Sequence, residues 1–214
     1  KMLKINIKKY FIMKKIIIIG AGAMGSAFAV PCLENKNEVT LVGTHLEDEL
    51  INNIQLNNNF HPALNIKLPS NLKVEKYDKL KSILEGGIDI IVAGVSSVGI
   101  EWFVKQITKS YKKNTPIILL TKGLAIEDNE LITLSDKIKK LLKDQGHTDV
   151  NISAIKGPCL AAGLAYKMRT GTVIANPDIK ETEKLKKIIS TDYYSTEVSD
   201  DLTGIELSGA IKNI

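Results

Sequence analysis

Short branched-apolar runs alternate along this chain with longer segments of helical period. IIII at 16–19, EVTLV at 38–42, IDIIVA at 88–93, PIILL at 116–120 and the segment 151–155 read as buried strands. A stretch of small and apolar residues at 23–34 predicts a helix; Pro31 inside it removes one N–H and predicts a kink or an early end. Residues 44–54 read as helical, with Glu47, Asp48 and Glu49 near the start, where acids suit the helix dipole. Residues 57–70 are polar, hold Pro62 and Pro69, and read as a loop, followed by a short strand at 72–74 and a short helix at 79–84 closed by Gly86-Gly87. A further helix carries Ile100, Phe103, Val104 and Ile107 on one face, and a long amphipathic helix is predicted at 131–143. Residues 172–175 and 193–198 read as strands of a smaller antiparallel appendix, and Asp200 or Asp201 as the cap of a last helix beginning near Leu202.

This alternation predicts an α/β protein built on a doubly wound, mostly parallel sheet with a small antiparallel appendix. The first strand runs straight into Gly20-Ala21-Gly22-Ala23-Met24-Gly25, a G-x-G-x-x-G placed between strand and helix. Each glycine has a physical purpose there: Gly20 for the tight turn, Gly22 for the approach of a pyrophosphate to bare backbone, Gly25 for close packing of helix on strand. The helix N-terminus adds free N–H groups and partial positive charge. The pattern is that of a Rossmann-type dinucleotide site, with Gly20, Gly22, Ala23, Met24 and Gly25 as candidate cofactor-binding residues. Ligands of such sheets bind beyond the strand C-termini. Three other loops leave strand ends there: Gly94-Val95-Ser96-Ser97, Thr121-Lys122-Gly123 and Gly157-Pro158-Cys159.

Bulk properties narrow the reading. The 214 residues carry a net charge of +5, almost all the positive charge is lysine, and Arg169 is the single arginine. No segment joins a basic block to stacking aromatics, so nucleic acid is not an expected partner; a lysine-rich surface suits an anionic cofactor and a phosphorylated substrate. No apolar run reaches membrane-spanning length, and no membrane insertion is expected. Residues 8–29 superficially resemble a signal peptide, but Lys14 and Lys15 interrupt the apolar run and the glycine pattern explains the small residues better. Cys32 and Cys159 lie far apart and share no metal-ligand spacing with His45, His61 or His147, so reduced thiols and a cytoplasmic location are expected. Residues 1–12 read as an upstream extension or cloning remnant, 13–200 as the dinucleotide-binding domain, and 201–214 as the first helix of a truncated substrate domain.

Taken together the motifs resemble NAD(P)-dependent glycerol-3-phosphate dehydrogenase. The resemblance is carried by the glycine turn, the Gly94-Val95-Ser96-Ser97 loop, Thr121-Lys122-Gly123, Gly157-Pro158-Cys159-Leu160-Ala161 and the long segment Gly204-Ile205-Glu206-Leu207-Ser208-Gly209-Ala210-Ile211-Lys212-Asn213. It implies NADPH or NADH as cofactor and reversible reduction of dihydroxyacetone phosphate to glycerol 3-phosphate. By family position Lys212 is the proton donor and acceptor, Lys122 contacts the substrate and polarises its carbonyl, and Asn213 assists. Gly157 and Cys159 join them as substrate-contacting positions, and Ser96, Lys122 and Ala161 as cofactor-contacting ones. A homodimer is allowed. The sequence departs from the family pattern at Cys159, where a serine is usual, at Gly163, where an acid is usual, and at Met24, where a bulky aromatic is common. A ribose-binding acid is expected at the end of the second strand, but Gly43, Thr44 and His45 stand there, and this absence inclines the reading toward NADPH or dual use, with Thr44 and His45 as candidate contacts. The family's helical domain, with its aspartate and its phosphate-binding arginine, is largely absent; weak cofactor binding and little turnover are therefore expected of this chain. The rival readings are a ketopantoate reductase or another 3-hydroxyacid dehydrogenase and, in a different class, a non-catalytic NAD(P)-sensing module.

Overall fold

A computed structural model describes residues 13–211. In chain order the elements are β1 (Lys15–Ile19), α1 (Ala23–Glu34), β2 (Glu38–Val42), α2 (Asp48–Leu56), β3 (Phe60–His61), β4 (Ile66–Lys67), β5 (Lys73–Glu75), α3 (Leu80–Glu85), β6 (Ile90–Ala93), α4 (Ile100–Ile107) and β7 (Ile117–Leu119). Then follow β8 (Leu124–Glu127), β9 (Glu130–Thr133), α5 (Leu134–Asp144), β10 (Ile152–Lys156), α6 (Ala161–Ala165), β11 (Thr170–Ala175), α7 (Ile179–Ile189), β12 (Tyr194–Ser199) and α8 (Leu202–Ile211).

Eight strands form one sheet in the order β12-β11-β10-β7-β6-β1-β2-β5. Every neighbouring pair is parallel except β10 with β11. From β1 the chain moves outward to β2 and β5, then returns to β6 on the other side of β1, so the strand order reverses beside the glycine turn, where open α/β sheets bind ligands. Both faces of the sheet are covered at its centre, which is why Ile16–Ile19 of β1 and the whole of β6 and β7 are apolar at every position. Ile16 and Ile18 face a core shared with α1, α2 and α7. Ile17 and Ile19 face the opposite core, shared with α3, α4, α5 and α8.

Several expectations are corrected. The strands assigned to a separate antiparallel appendix extend the main sheet instead: β11 runs antiparallel to β10, and β12 lies parallel to β11. The small antiparallel pieces are the two-residue pair β3–β4, inside the segment read as loop, and the hairpin β8–β9. This hairpin takes the residues expected to open the long helix, so α5 starts at Leu134, where the Thr133 hydroxyl caps it by accepting from Asp136 N–H at 3.1 Å. Its turn, Asp128-Asn129, has φ of +50° and +64°, the positive pair that a two-residue hairpin with right-handed twist needs. α2 begins at Asp48 rather than 44. Pro31 does not end α1, which runs to Glu34; the helix is buried along Gly25–Leu33, and packing on both sides outweighs the one missing bond. Asp201 caps α8, its Oδ1 accepting from Gly204 N–H at 2.8 Å.

Candidate functional site

The glycine turn is built to a tight tolerance. Gly20 has φ +108°, and a Cβ there would lie 2.7 Å from the carbonyl of Gly94. A Cβ on Gly25 would stand 2.2 Å from Gly20 O. Gly22 differs: its nearest neighbour would be Glu47 Oε1 at 3.9 Å, so the space beside it is open. The first and third glycines therefore serve packing, and the second keeps clear a path to the N-terminus of α1. That cradle fits a pyrophosphate.

The peptide of Ala21 is held from both sides. Its N–H donates to Glu47 Oε2 at 3.0 Å, and the same oxygen accepts Thr44 N–H at 2.7 Å. Its carbonyl accepts the Ser26 hydroxyl at 3.0 Å and faces His61 Nε2 at 3.0 Å. His61 Nδ1 accepts Leu64 N–H at 3.2 Å, which leaves Nε2 as the protonated nitrogen and the donor to Ala21. Neither Glu47 nor His61 belongs to the sequence-derived site. Glu47 reads there only as a dipole-matched acid, and His61 as a loop residue. Gly43, Thr44 and His45 do follow β2, but Glu47, five residues beyond it, brings a carboxylate to the turn, where it holds two backbone N–H groups. Its signal was present in an acid some 20 residues past the third glycine.

Thr44 is half-buried and His45 exposed. The His45 ring lies 5.0 Å from Trp102 and 6.2 Å from Tyr77 between centroids, and Tyr77 and Trp102 lie 5.5 Å apart. These three rings form a partly exposed aromatic surface next to the loop that Glu47 anchors.

On the other side of the turn, Gly22, Ala23, Met24, Ser96, Ser97, Lys122, Cys159 and Ala161 line a single open cleft of about 470 Å³. The structure thus brings together the glycine turn and three separate loops that the sequence singled out. Two of the loops are tied together: the Thr121 hydroxyl donates to Val95 O at 2.7 Å. Lys122 is half-buried at the cleft wall. Gly157 sits behind this wall, bordering a smaller cavity with Lys122, Lys156 and Cys159. Burial pushes the Cys159 thiol up, so it is a neutral, weakly polar group at the cleft. Lys212 and Asn213 lie outside the described residues; α8, described to Ile211, packs with Gly209 against the Lys156 side chain.

Lys156 itself escaped the sequence reading. It ends β10, is 4% exposed, and donates from Nζ to Thr121 O and to Leu119 O, the latter at 3.3 Å. Burial pulls its ammonium down to about 8, with Glu206 acting the other way and Lys122 adding to the decrease. Among the described residues, no helix is long and apolar enough to cross a membrane.

Comparison with known proteins agrees with this geometry. The sequence profile of the family described as NAD-dependent glycerol-3-phosphate dehydrogenase N-terminus matches residues 15–182. The NADP(+)-dependent glycerol-3-phosphate dehydrogenase of Archaeoglobus fulgidus is 34% identical over 199 residues, covering 93% of this chain and 57% of that protein. The glycerol-3-phosphate dehydrogenase [NAD(P)+] of Mesoplasma florum is 31% identical over 203 residues, covering 94% of this chain and 58% of its own length. The crystal structure of a glycerol-3-phosphate dehydrogenase from Coxiella burnetii shares the fold with a TM-score of 0.81 at 24% identity, over 94% of this chain and 58% of that one. The chain thus spans somewhat more than half the length of the relatives it matches. With a glycine turn, a lysine cleft and a family profile that coincide over the same residues, this chain belongs to the NAD-dependent glycerol-3-phosphate dehydrogenase family, of which it carries the N-terminal domain.

Proposed function

We propose that this chain binds NADH or NADPH across the C-terminal edge of its sheet and serves the interconversion of dihydroxyacetone phosphate and glycerol 3-phosphate. The observation that carries the reading is the shared cleft, in which Gly22, Ala23 and Met24 face the same space as Lys122. The N-terminus of α1 takes the pyrophosphate, and the Ala21 peptide, held by Glu47 and His61, keeps the turn in shape. The adenine lies against the aromatic surface of His45, Tyr77 and Trp102. When bound, the nicotinamide supplies or accepts the hydride. Lys122 places a positive charge where the carbonyl oxygen gains negative charge, and Lys212 exchanges the proton with that oxygen, assisted by Asn213. Ser96, Gly157, Cys159 and Ala161 shape the walls around the two ligands.

Both cofactor forms are within reach. Glu47 offers an acceptor to ribose hydroxyls, and its charge weighs against a 2′-phosphate; this removes the ground for favouring NADPH. Family membership favours this substrate over ketopantoate, and the half-buried Lys122 at the cleft wall favours an enzyme over a sensor. The reading predicts a cytoplasmic enzyme acting on a small phosphorylated ketone. It is tested with the natural full-length protein by following oxidation of NADH and NADPH with dihydroxyacetone phosphate and with ketopantoate. Oxidation with the first alone, reduced at least about a hundredfold by Lys122→Ala, supports it; oxidation with ketopantoate alone contradicts it.

A further inference from the structure

The buried charges behind the cleft have no part in the chemistry above. Glu206 on α8 is 0% exposed, its Oε1 accepts Ser135 N–H at 3.2 Å, and its Oε2 finds no partner among the described residues. Burial, first of all, raises its carboxyl; hydrogen bonding from Ser135 and then the charge of Lys156 oppose that, and Asp136 on α5 adds to it. Lys156 is the opposite charge in the same interior. Its ammonium is bonded to the carbonyls of Leu119 and Thr121, the second of which is the residue before Lys122. Its stem lies under α8, where a Cβ on Gly209 would come within 3.0 Å of Lys156 Cδ. A buried ammonium and a buried carboxylate are each costly alone. Three elements therefore meet on one side chain: the end of β7 at its ammonium, the end of β10 that bears it, and α8 along its stem.

We propose that Lys156 and Glu206 act as a buried charge couple that joins α8 to the Thr121-Lys122-Gly123 loop, so that Lys156 is a positioning residue for the loop that bears Lys122. Its functional sense rests on the reading above, in which Lys122 serves the substrate. The physical coupling does not, because it is measured without cofactor or substrate.

Burial of the Lys156 ammonium sets the sign of the pH dependence. The charges that act on Lys156 are Glu206 from α8, which raises its affinity for the proton, and Lys122 from the loop after β7, which lowers it; Asp136 of α5 acts on Glu206. The folded state holds the Lys156 proton less tightly than the unfolded chain, about 8 against 10.5. Folding is therefore penalised below pH 8, and the penalty is relieved as pH rises toward 10.5. Cys32 and Cys159, whose thiols burial raises, pull the other way above about pH 8.5. They are common to wild type and to a Lys156 variant, so their effect cancels in the difference.

The experiment compares the whole chain with Lys156→Met, Glu206→Gln and the double variant. Amide exchange at 119–123 and 202–211 should be at least tenfold faster in each single variant and should return to within about threefold of wild type when both charges are removed. The folding constant of wild type relative to Lys156→Met should rise with pH between 7.5 and 10, by about 60-fold. Equal exchange in all four proteins, a double variant at least as loose as the worse single one, or a pH-independent ratio would overturn the coupling. Should Lys156→Met fail to fold, carbon-13 titration of the lysine Cε resonances in wild type decides. A midpoint near 8 that falls in Glu206→Gln supports the couple, and one that does not move refutes it.

Discussion

Gly22→Ala and Gly25→Ala should fail in opposite ways, because the two glycines meet different surroundings. At Gly25 the new methyl would stand 2.2 Å from Gly20 O, about 1 Å inside ordinary contact. The obstacle is backbone, which cannot swing aside, so the strand and α1 must separate at a cost of about 1–3 kcal/mol or more. For a domain of this size that lowers Tm by several degrees, roughly 2–4 °C per kcal/mol. At Gly22 the nearest atom would be 3.9 Å away, and φ −61° with ψ 172° suits alanine. Alanine is a poorer N-cap than glycine, a loss below about 1 kcal/mol, so Tm stays within about 4 °C. Yet this methyl fills the approach to the α1 N-terminus, and dinucleotide affinity should fall at least about tenfold, or 1.4 kcal/mol. Thermal denaturation reads the first effect. Fluorescence of Trp102, the single tryptophan, titrated with NADH and NADPH, reads the second. A Gly22→Ala chain that binds as well as wild type, or a Gly25→Ala chain that melts with it, would refute the division of roles.

Glu47→Ala removes the acceptor shared by Ala21 and Thr44 and should destabilise the turn by about 1–2 kcal/mol, weakening both cofactors, whereas Glu47→Gln keeps an acceptor and should raise affinity for NADPH relative to NADH; an unchanged ratio in paired titrations counts against a ribose-facing role. Cys32 is 0% and Cys159 7% exposed, and burial raises both thiols, so neither should react with a disulfide reagent in the native chain within minutes at pH 8, and both should react on unfolding; a rapid native phase would contradict the packing. Thr133→Ala deletes the cap of α5 and should cost about 1 kcal/mol in urea denaturation; no loss would mean that the hairpin alone holds the helix start.

What could be read from the chain follows how local each feature is. The Ile16–Ile19 run, the three glycines and the three other loops announce themselves within a few residues, and each lies where the pattern put it. The β8–β9 hairpin was hidden because its turn, Asp128-Asn129, uses two non-glycine residues at positive φ inside a segment of helical period. Whether β11 and β12 join the main sheet depends on the pairing of Ala154 with Ala175 and of Lys156 with Val173, which no local pattern records. Glu47 and His61 meet at Ala21 only because α2 and the β3–β4 segment fold back over the turn. Lys156 looked like any of the chain's many lysines, and its burial is set by α8, about 50 residues downstream.

The most direct test of the dinucleotide site is a nitrogen-15 NMR titration of the chain with NADH and NADPH. The account predicts saturable shift changes concentrated at 20–25, 44–47, 94–97 and 121–122, with little change at the far ends of the strands. Saturable changes centred away from the glycine turn, or none at millimolar cofactor, would contradict it.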